Sequence, residues 1–191
     1  MKHFIDPKID CVFKAILGAL ERSHLLVHFL NSVVKFDEPI TEVTIENPYI
    51  ERQHIDAKLS IVDIKAKDSS GRVYQVEMQL TSPAHLISRM SQNLSQLHGQ
   101  QLKKGEHYAK TKETIAIWLL TEDIGLHDYP TVAKHDHKFH FEMYEVEKQI
   151  HLPEATHLHI IQMNRWRKPK KSAMQQLDYW ANRVKLAKTW S

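Results

Sequence analysis

The chain has 191 residues, of which 42% are apolar and 26% are charged. This length and composition suit one globular domain with a sizeable core, and they exclude a low-complexity chain. The net charge of +3 gives weak support for an anionic partner, and the 14 histidines make that charge sensitive to pH below about 7.

Features that would direct the protein to a membrane or an oxidising compartment are missing from the sequence. The single cysteine, Cys11, excludes an internal disulfide and a thiolate zinc site, and it is typical of a reducing compartment. The first ten residues contain no apolar signal segment, and the longest apolar run, 115–120, is far shorter than the ~20 residues of a membrane span. We therefore expect a soluble, cytoplasmic protein without a membrane partner.

The N-terminal part predicts two short helices, or one helix interrupted near Gly18, and then a strand. Apolar residues recur at helical spacing in 6–20 and again in 23–34, where Ser23 is expected to cap the second helix. The segment 40–46 alternates between polar and apolar residues and is predicted as a strand.

A third helix and a buried strand are predicted in the middle of the chain. Ser82 as a cap and Pro83 at the first helical position predict where the helix begins, and Gly105 predicts where it ends. The helix carries an apolar stripe of Leu86, Met90, Leu94 and Leu97 and a polar stripe of Arg89, Asn93, Gln96 and Gln100. The continuous apolar run 114–120 predicts a strand buried on both faces.

The C-terminal part predicts peripheral elements. The segments 138–146 and 157–163 alternate and are predicted as strands. The basic segment 165–171 is interpreted as a linker, and the amphipathic stretch 172–190 as a helix. The overall order of elements indicates an α/β or α+β sheet with helices on both faces.

Two strands, 57–67 and 72–80, are predicted to form a hairpin whose register follows from polarity. A three-residue loop that ends at a left-handed Gly71 pairs Asp68 with Arg72. One face of the hairpin then consists of apolar pairs, which are Ala66 with Tyr74, Ile64 with Val76, and Val62 with Met78. A loop of even length would set polar residues against apolar ones, so the pattern favours the odd loop.

The same register sets two carboxylates against each other on the second face. Asp63 lies opposite Glu77, with Cβ atoms roughly 5 Å apart, and Gln79 follows on the same face. Like charges at that distance destabilise a hairpin, whereas a divalent cation between them reverses the effect. The alternative is a solvent-facing strand pair whose charges are neutralised by neighbouring cations, namely Lys65, Lys67 and Arg72.

Several segments occur in the order that is found in a known family. They are DPKIDCVFKAILG, FLNSVV, VDIKAKDSSGRVYQVEMQ, SRM and KKGEHYAKTKETIAIWLL. Together they resemble the PD-(D/E)XK nuclease family transposases, also called recombination-promoting nucleases, most closely over residues 4–121. The resemblance implies an α/β fold with a restriction-endonuclease-like core (helix, three-stranded meander, helix, strand) and peripheral C-terminal strands and helix. It also implies a nuclease-like domain over 1–164, followed by a basic segment and helix over 165–191 that we expect to be a truncated extension.

The resemblance implies a metal-dependent DNA endonuclease associated with transposition or recombination. The cofactor would be Mg²⁺ or Mn²⁺, the partner would be DNA, and the product would carry a 5′-phosphate. By position, Asp63 and Glu77 would hold the metal, Gln79 occupies the place of the motif's lysine, and Asp10 would add the acidic contribution of the first helix. Because Gln79 carries no charge, a catalytically weak or inactive DNA-binding remnant is the alternative. A protein-interaction module on the same fold is the third hypothesis.

Three cations are candidates for DNA contact. Lys14 follows Asp10 by one helical turn, and Arg89 lies on the polar stripe of the third helix. Lys65 shares a face with Asp63 and could restore the charge that Gln79 lacks. The alternative for each is a surface side chain or a salt bridge. Trp166, inside the basic segment, also suits nucleic-acid contact by stacking.

Histidine-rich segments occupy 135–140 and 157–159. His135 and His137 would share a face of a strand, but no second cluster has the spacing of a known structural zinc site. The sequence therefore predicts no zinc site. It also leaves the oligomeric state open, with a homo-oligomer among the alternatives.

Overall fold

The computed structural model of the chain describes residues 10–46, 49–50, 60–61, 63–152, 155–167, 178 and 180. Its α-helices are α1 (Asp10–Leu17), α2 (Ser23–Val33) and α3 (Leu86–Gly99). Its strands are β1 (Val43–Glu46), β2 (Tyr49–Ile50), β3 (Ser60–Ile61), β4 (Ile64–Asp68), β5 (Val73–Gln79), β6 (Thr114–Leu120), β7 (Lys138–Glu142), β8 (Tyr144–Glu145), β9 (Ile150–His151) and β10 (Thr156–Gln162).

The centre of the fold is a six-stranded mixed sheet in the order β1-β4-β5-β6-β10-β7. Strands β1, β4 and β5 form an antiparallel meander. Strands β5, β6 and β10 run parallel, and β7 closes the far edge in the antiparallel direction. The expectation of a mixed α/β architecture is therefore confirmed.

Helices cover both faces of this sheet. Side chains alternate along a buried strand, so the central strand β6 presents apolar residues to both helical layers. On one face α1 and α2 pack against a core that includes Val76, Ile115 and Ile117. On the other face α3 packs three of the four residues of its apolar stripe against Ala116, Trp118 and Leu120, which belong to the same central strand β6. All seven residues of β6 are buried, as the continuous apolar run predicts.

The predicted hairpin register is confirmed. Ile64 pairs with Val76, and Ala66 pairs with Tyr74. The loop closes as expected, because Gly71 has a φ of 91° and its amide donates to the Asp68 carbonyl oxygen. The predicted pair between Val62 and Met78 lies outside the described residues on the Val62 side.

The predicted ends of α3 are wrong. The helix begins at Leu86 rather than at Pro83, since His85 adopts a left-handed φ of 65° and interrupts the helical path. Ser82 does not cap the helix, and its amide instead donates to the Glu122 carboxylate. At the other end the helix stops at Gly99, before Gly105. The four apolar residues of the predicted stripe are nonetheless all buried.

Smaller corrections apply to the N-terminal elements. The second helix begins at Ser23 itself, with Arg22 in the capping position and no side-chain cap. The strand expected over 40–46 is shorter, at Val43–Glu46. The long strand expected over 57–67 is represented by β3 and β4, and residues 51–59 between β2 and β3 lie outside the described part.

The C-terminal strands β7, β8 and β10 fall within the predicted segments, apart from one residue at the start of β10. Trp166 is only 2% exposed and packs in the core beside α1 and α2, so its indole is not available for base stacking. Most of the segments 165–171 and 172–190 lies outside the described residues, so the boundary at residue 164 stays a prediction. Within the described part, no helix is both long and apolar enough to cross a membrane.

Candidate active site

The polar side chains of β5 lie on the face that α3 covers. Gln75, Glu77 and Gln79 are in register with Ala116, Trp118 and Leu120 of the parallel strand β6, and those three residues pack against α3. Strand β5 lies between β4 and β6, and α3 covers this face of the sheet, so these elements enclose Glu77. Its exposed fraction is 2%.

Asp63 lies beside Glu77, just before the hairpin ladder begins. The regular pairing ends at Ile64, and Asp63 occupies the bend that leads into β4. Its amide donates to Glu77 Oε1 at 3.2 Å, and its own Oδ2 accepts from the Met78 amide at 2.9 Å. The two carboxylates therefore adjoin at the open end of the hairpin, although they are not a regular cross-strand pair.

Two cations reach the carboxylates from opposite faces of the sheet. Lys14 on α1 places Nζ 3.2 Å from Asp63 Oδ1. Arg89 on α3 places Nη2 3.7 Å from Glu77 Oε2, and its guanidinium lies 5.1 Å from the centroid of the Trp118 ring. Both cationic side chains are partly exposed, at 39% and 43%, so they border solvent far more than their partners, of which Asp63 is 12% and Glu77 3% exposed.

Glu77 is a perturbed acid. Burial is the main cause that raises the pKa of its carboxyl, to about 8, and the negative charge of Asp63 adds to the effect. Arg89 opposes this shift, as do hydrogen bonds from the Asp63 amide and the Gln75 side chain. A strongly perturbed acid beside a second carboxylate is a signature of functional sites.

The donor set of this site fits a hard divalent cation. Asp63 and Glu77 supply carboxylate oxygens. Gln75 donates its amide nitrogen to Glu77 Oε1 at 3.3 Å, and its Oε1 is buried with no hydrogen-bond partner among the described residues. Oxygen ligands of this kind are those that Mg²⁺ prefers.

The remaining predicted site residues are Gln79, Lys65 and Asp10. Gln79 ends β5, where it is half-buried, and its carbonyl oxygen accepts from the Thr121 amide. Lys65 Nζ lies 3.2 Å from Glu46 Oε2 on β1. Its ion pair is therefore with Glu46, whereas the sequence placed it beside Asp63 as a source of the charge that Gln79 lacks. Asp10 begins α1, but its side chain lies outside the described residues.

Sequence reasoning missed Gln75 as a site residue. It is fully buried and contacts Glu77 directly. The available signal was its position two residues before Glu77, which places both side chains on one face of a strand. A buried polar residue in a central strand is otherwise uncommon.

Comparisons with known proteins point to one family. The family model described as PD-(D/E)XK nuclease family transposase matches residues 7–189. No curated protein and no solved structure matches the chain. The matched range includes the meander, α3, β6 and both carboxylates of the site. The chain therefore belongs to the PD-(D/E)XK nuclease family transposases, and its function is nuclease-like and associated with transposition.

Proposed function

We propose that the protein is a Mg²⁺- or Mn²⁺-dependent DNA endonuclease that hydrolyses phosphodiester bonds during transposition or recombination. The observation that carries the proposal is the contact between the Asp63 amide and the buried Glu77 carboxylate, because it puts two acids at one point of the sheet. The order of helix, antiparallel meander, helix and parallel strand further supports a restriction-endonuclease-like core.

In this proposal Asp63 and Glu77 hold the metal ion. When bound, the ion would polarise the phosphodiester and make water a stronger nucleophile at neutral pH. Gln75 keeps the Glu77 carboxylate oriented through its 3.3 Å hydrogen bond. Gln79, two residues beyond Glu77 on the same face, orients water or a phosphate oxygen, and Asp10 assists from α1.

The two partly exposed cations bind the DNA backbone in this proposal. Arg89 presents a planar guanidinium that suits two phosphate oxygens at once, and the Trp118 ring limits where that group can move. Lys14 supplies a point charge beside Asp63, where negative charge grows as the phosphodiester bond breaks. Lys65 would contact DNA only after leaving Glu46, so it contributes less than the other two.

Nicking of supercoiled plasmid tests the proposal. The wild type is expected to nick DNA with Mg²⁺ or Mn²⁺ and not with EDTA. Asp63→Asn and Glu77→Gln each remove several kcal/mol of transition-state stabilisation, which corresponds to about a thousandfold loss of rate. Asp37→Asn, which changes an exposed acid, is the matched control and should keep full activity.

The alternatives give different results in the same experiment. DNA binding without metal-dependent nicking would support the remnant that keeps the fold and has lost turnover. The absence of both binding and nicking would support an interaction module. Nicking that persists in Asp63→Asn would contradict the assignment of the site.

A further inference from the structure

A second cluster of potential metal ligands lies at the far edge of the sheet. On β10 and β7 the pairing sets His157 opposite Glu142 and His159 opposite His140. Because alternate residues share a face, all four side chains lie on one side of these two strands. The parallel register of β10 with β6 sets His157 beside Ile115, which belongs to the core under α1 and α2.

This cluster is separate from the carboxylate site. Glu77 lies on the α3 face of the sheet, whereas the histidines lie on the opposite face. Strand β6 stands between β5 and β10, so β5 and β10 are about 10 Å apart across the hydrogen-bonding direction. One ion cannot be shared by the two groups.

The spacing of the ligand atoms matches the coordination sphere of one ion. His140 Nε2 lies 3.1 Å from His157 Nδ1, and His157 Nδ1 lies 3.7 Å from Glu142 Oε2. One ligand atom from each of His140, Glu142 and His157 falls within 4.8 Å of the other two. Two ligands of a tetrahedral zinc ion, with bonds of about 2.1 Å, are about 3.4 Å apart.

Each of these ligands has a second side chain beside it. His151 on β9 contacts the other carboxylate oxygen, Glu142 Oε1. Glu113 Oε1 lies 3.9 Å from His157 Nε2, the nitrogen that does not face the cluster. The His140 ring stacks on His159 with centroids 4.2 Å apart and an interplanar angle of 8°. A carboxylate that faces the outer ring nitrogen of a ligand histidine is a usual means of fixing its orientation.

Solvent reaches the cluster through a cleft of about 440 Å³ between the end of α2 and the edge of the sheet. The cleft is lined by all three ligands and by apolar residues such as Val33 and Phe36. An ion therefore has an entry path, and water has access to a remaining coordination position.

We propose that His140, Glu142 and His157 bind one Zn²⁺ ion, with a fourth position open to water. Two imidazoles and one carboxylate suit zinc and related transition metals, whereas Mg²⁺ prefers oxygen ligands. The ion joins β7 to β10, and through Glu142 and His151 it also fixes the β8–β9 hairpin. This site is independent of the proposed nuclease function, because none of its ligands takes part in it.

Calorimetric titration of the metal-stripped full chain with Zn²⁺ tests this proposal. With excess Mg²⁺ present to occupy the carboxylate site at Asp63 and Glu77, we expect one saturable Zn²⁺ site per chain, whose affinity falls at least about tenfold in His140→Gln, in His157→Gln and in Glu142→Gln. His135→Gln is the matched control, because it removes an exposed histidine from the same histidine-rich segment but outside the cluster. His135→Gln is expected to bind Zn²⁺ as the wild type does, and the Zn²⁺ site that is measured in excess Mg²⁺ should persist in Asp63→Asn.

Absorption of bound Co²⁺ gives a second readout that does not depend on enzymatic activity. A four-coordinate site gives strong visible bands, and these should disappear in His140→Gln and stay in His135→Gln. Circular dichroism of each metal-stripped variant establishes whether it is folded. If a histidine variant does not fold, Glu142→Gln tests the site instead, because glutamine has nearly the same shape as glutamate. Zn²⁺ binding that survives in both histidine variants, that is lost in His135→Gln, or that requires Asp63 would overturn the proposal.

Discussion

Replacement of Glu77 by glutamine should change how the stability of the metal-free protein depends on pH. The pKa of Glu77 is raised from its ordinary value of 4.5 to about 8, first by burial and then by the charge of Asp63. The folded protein therefore binds this proton more tightly than the unfolded chain. Between these two pH values unfolding releases the proton, so the free energy of unfolding falls as pH rises. Glu77→Gln cannot ionise and should lose this dependence.

The expected size of the effect follows from the interval between the two pKa values. From 4.5 to about 8, at about 1.4 kcal/mol for each pH unit, the loss of folding free energy is at most roughly 5 kcal/mol. Glu77 is 2% exposed, so solvent screens this effect little. At pH 5 the wild type and Glu77→Gln should be similar in stability, and at pH 9 the variant should be the more stable by several kcal/mol.

Urea unfolding in EDTA at unit intervals from pH 5 to pH 9 measures this difference. Other groups, such as His159, whose pKa burial lowers to about 3, change the stability of both proteins alike and cancel in the comparison. Glu38→Gln, which alters an exposed glutamate, is the control and should follow the wild type at every pH. A constant difference between wild type and Glu77→Gln, or a wild type that gains on the variant as pH rises, would refute the reasoning.

Three further predictions concern the metal, a cation and the hairpin loop. Mg²⁺ binding at pH 7 should release up to one proton per chain, because Glu77, with a pKa of about 8, must ionise to bind the ion. Calorimetric titration in buffers of different ionisation enthalpy measures the number of protons released, and zero release would contradict the assignment of Glu77 as a ligand. Lys14→Met should slow DNA cleavage by about tenfold to a hundredfold without weakening Mg²⁺ binding, because the Lys14 ammonium lies 3.2 Å from Asp63 Oδ1 and competes with the ion there. A parallel loss of Mg²⁺ affinity would show that Lys14 only supports the site. Gly71→Ala should lower the free energy of unfolding by about 1–2 kcal/mol, because Gly71 has a φ of 91° and a Cβ there would lie 3.3 Å from the Lys112 side chain. An unchanged midpoint of urea unfolding would contradict this prediction.

The hairpin and its acids could be predicted because local sequence determines them. The loop from Asp68 to Arg72 fixes the pairing, and polarity decides between odd and even loops. The proximity of Asp63 to Glu77 follows from that register alone. The bend at Asp63 could not be predicted in this way, since it depends on how the chain enters β4.

The ends of α3 depend on contacts that are distant in the sequence. The Ser82 amide donates to Glu122, which lies 40 residues later. Beyond the other end, Gln101 Nε2 donates to the Lys112 carbonyl oxygen and its Oε1 accepts from the Lys112 amide. Local signals are a weak guide where tertiary hydrogen bonds are available, and the two ends of α3 illustrate this.

Partners of single charged residues were also outside the reach of the sequence. Lys65 pairs with Glu46 because β1 lies next to β4, which the polarity pattern of β4 does not indicate. The contact between His140 and His157 has the same origin, since it requires β7 to pair with β10 along the edge. The sequence offered a hint in His157 and His159 at alternate positions of one strand and His140 in another, and that hint does not specify which strands are neighbours.

The position of α3 explains how a carboxylate pair can persist in a stable sheet. Packing of Leu86, Met90 and Leu94 over β6 stabilises the fold, and the same packing removes Glu77 from water. Exposed acids this close would repel each other as two anions, whereas the buried Glu77 takes up a proton near neutral pH. In the proposed function a metal ion would therefore replace a proton instead of relieving the repulsion between two anions. Arg89, held above Trp118, stays close to the charge that appears when the proton leaves.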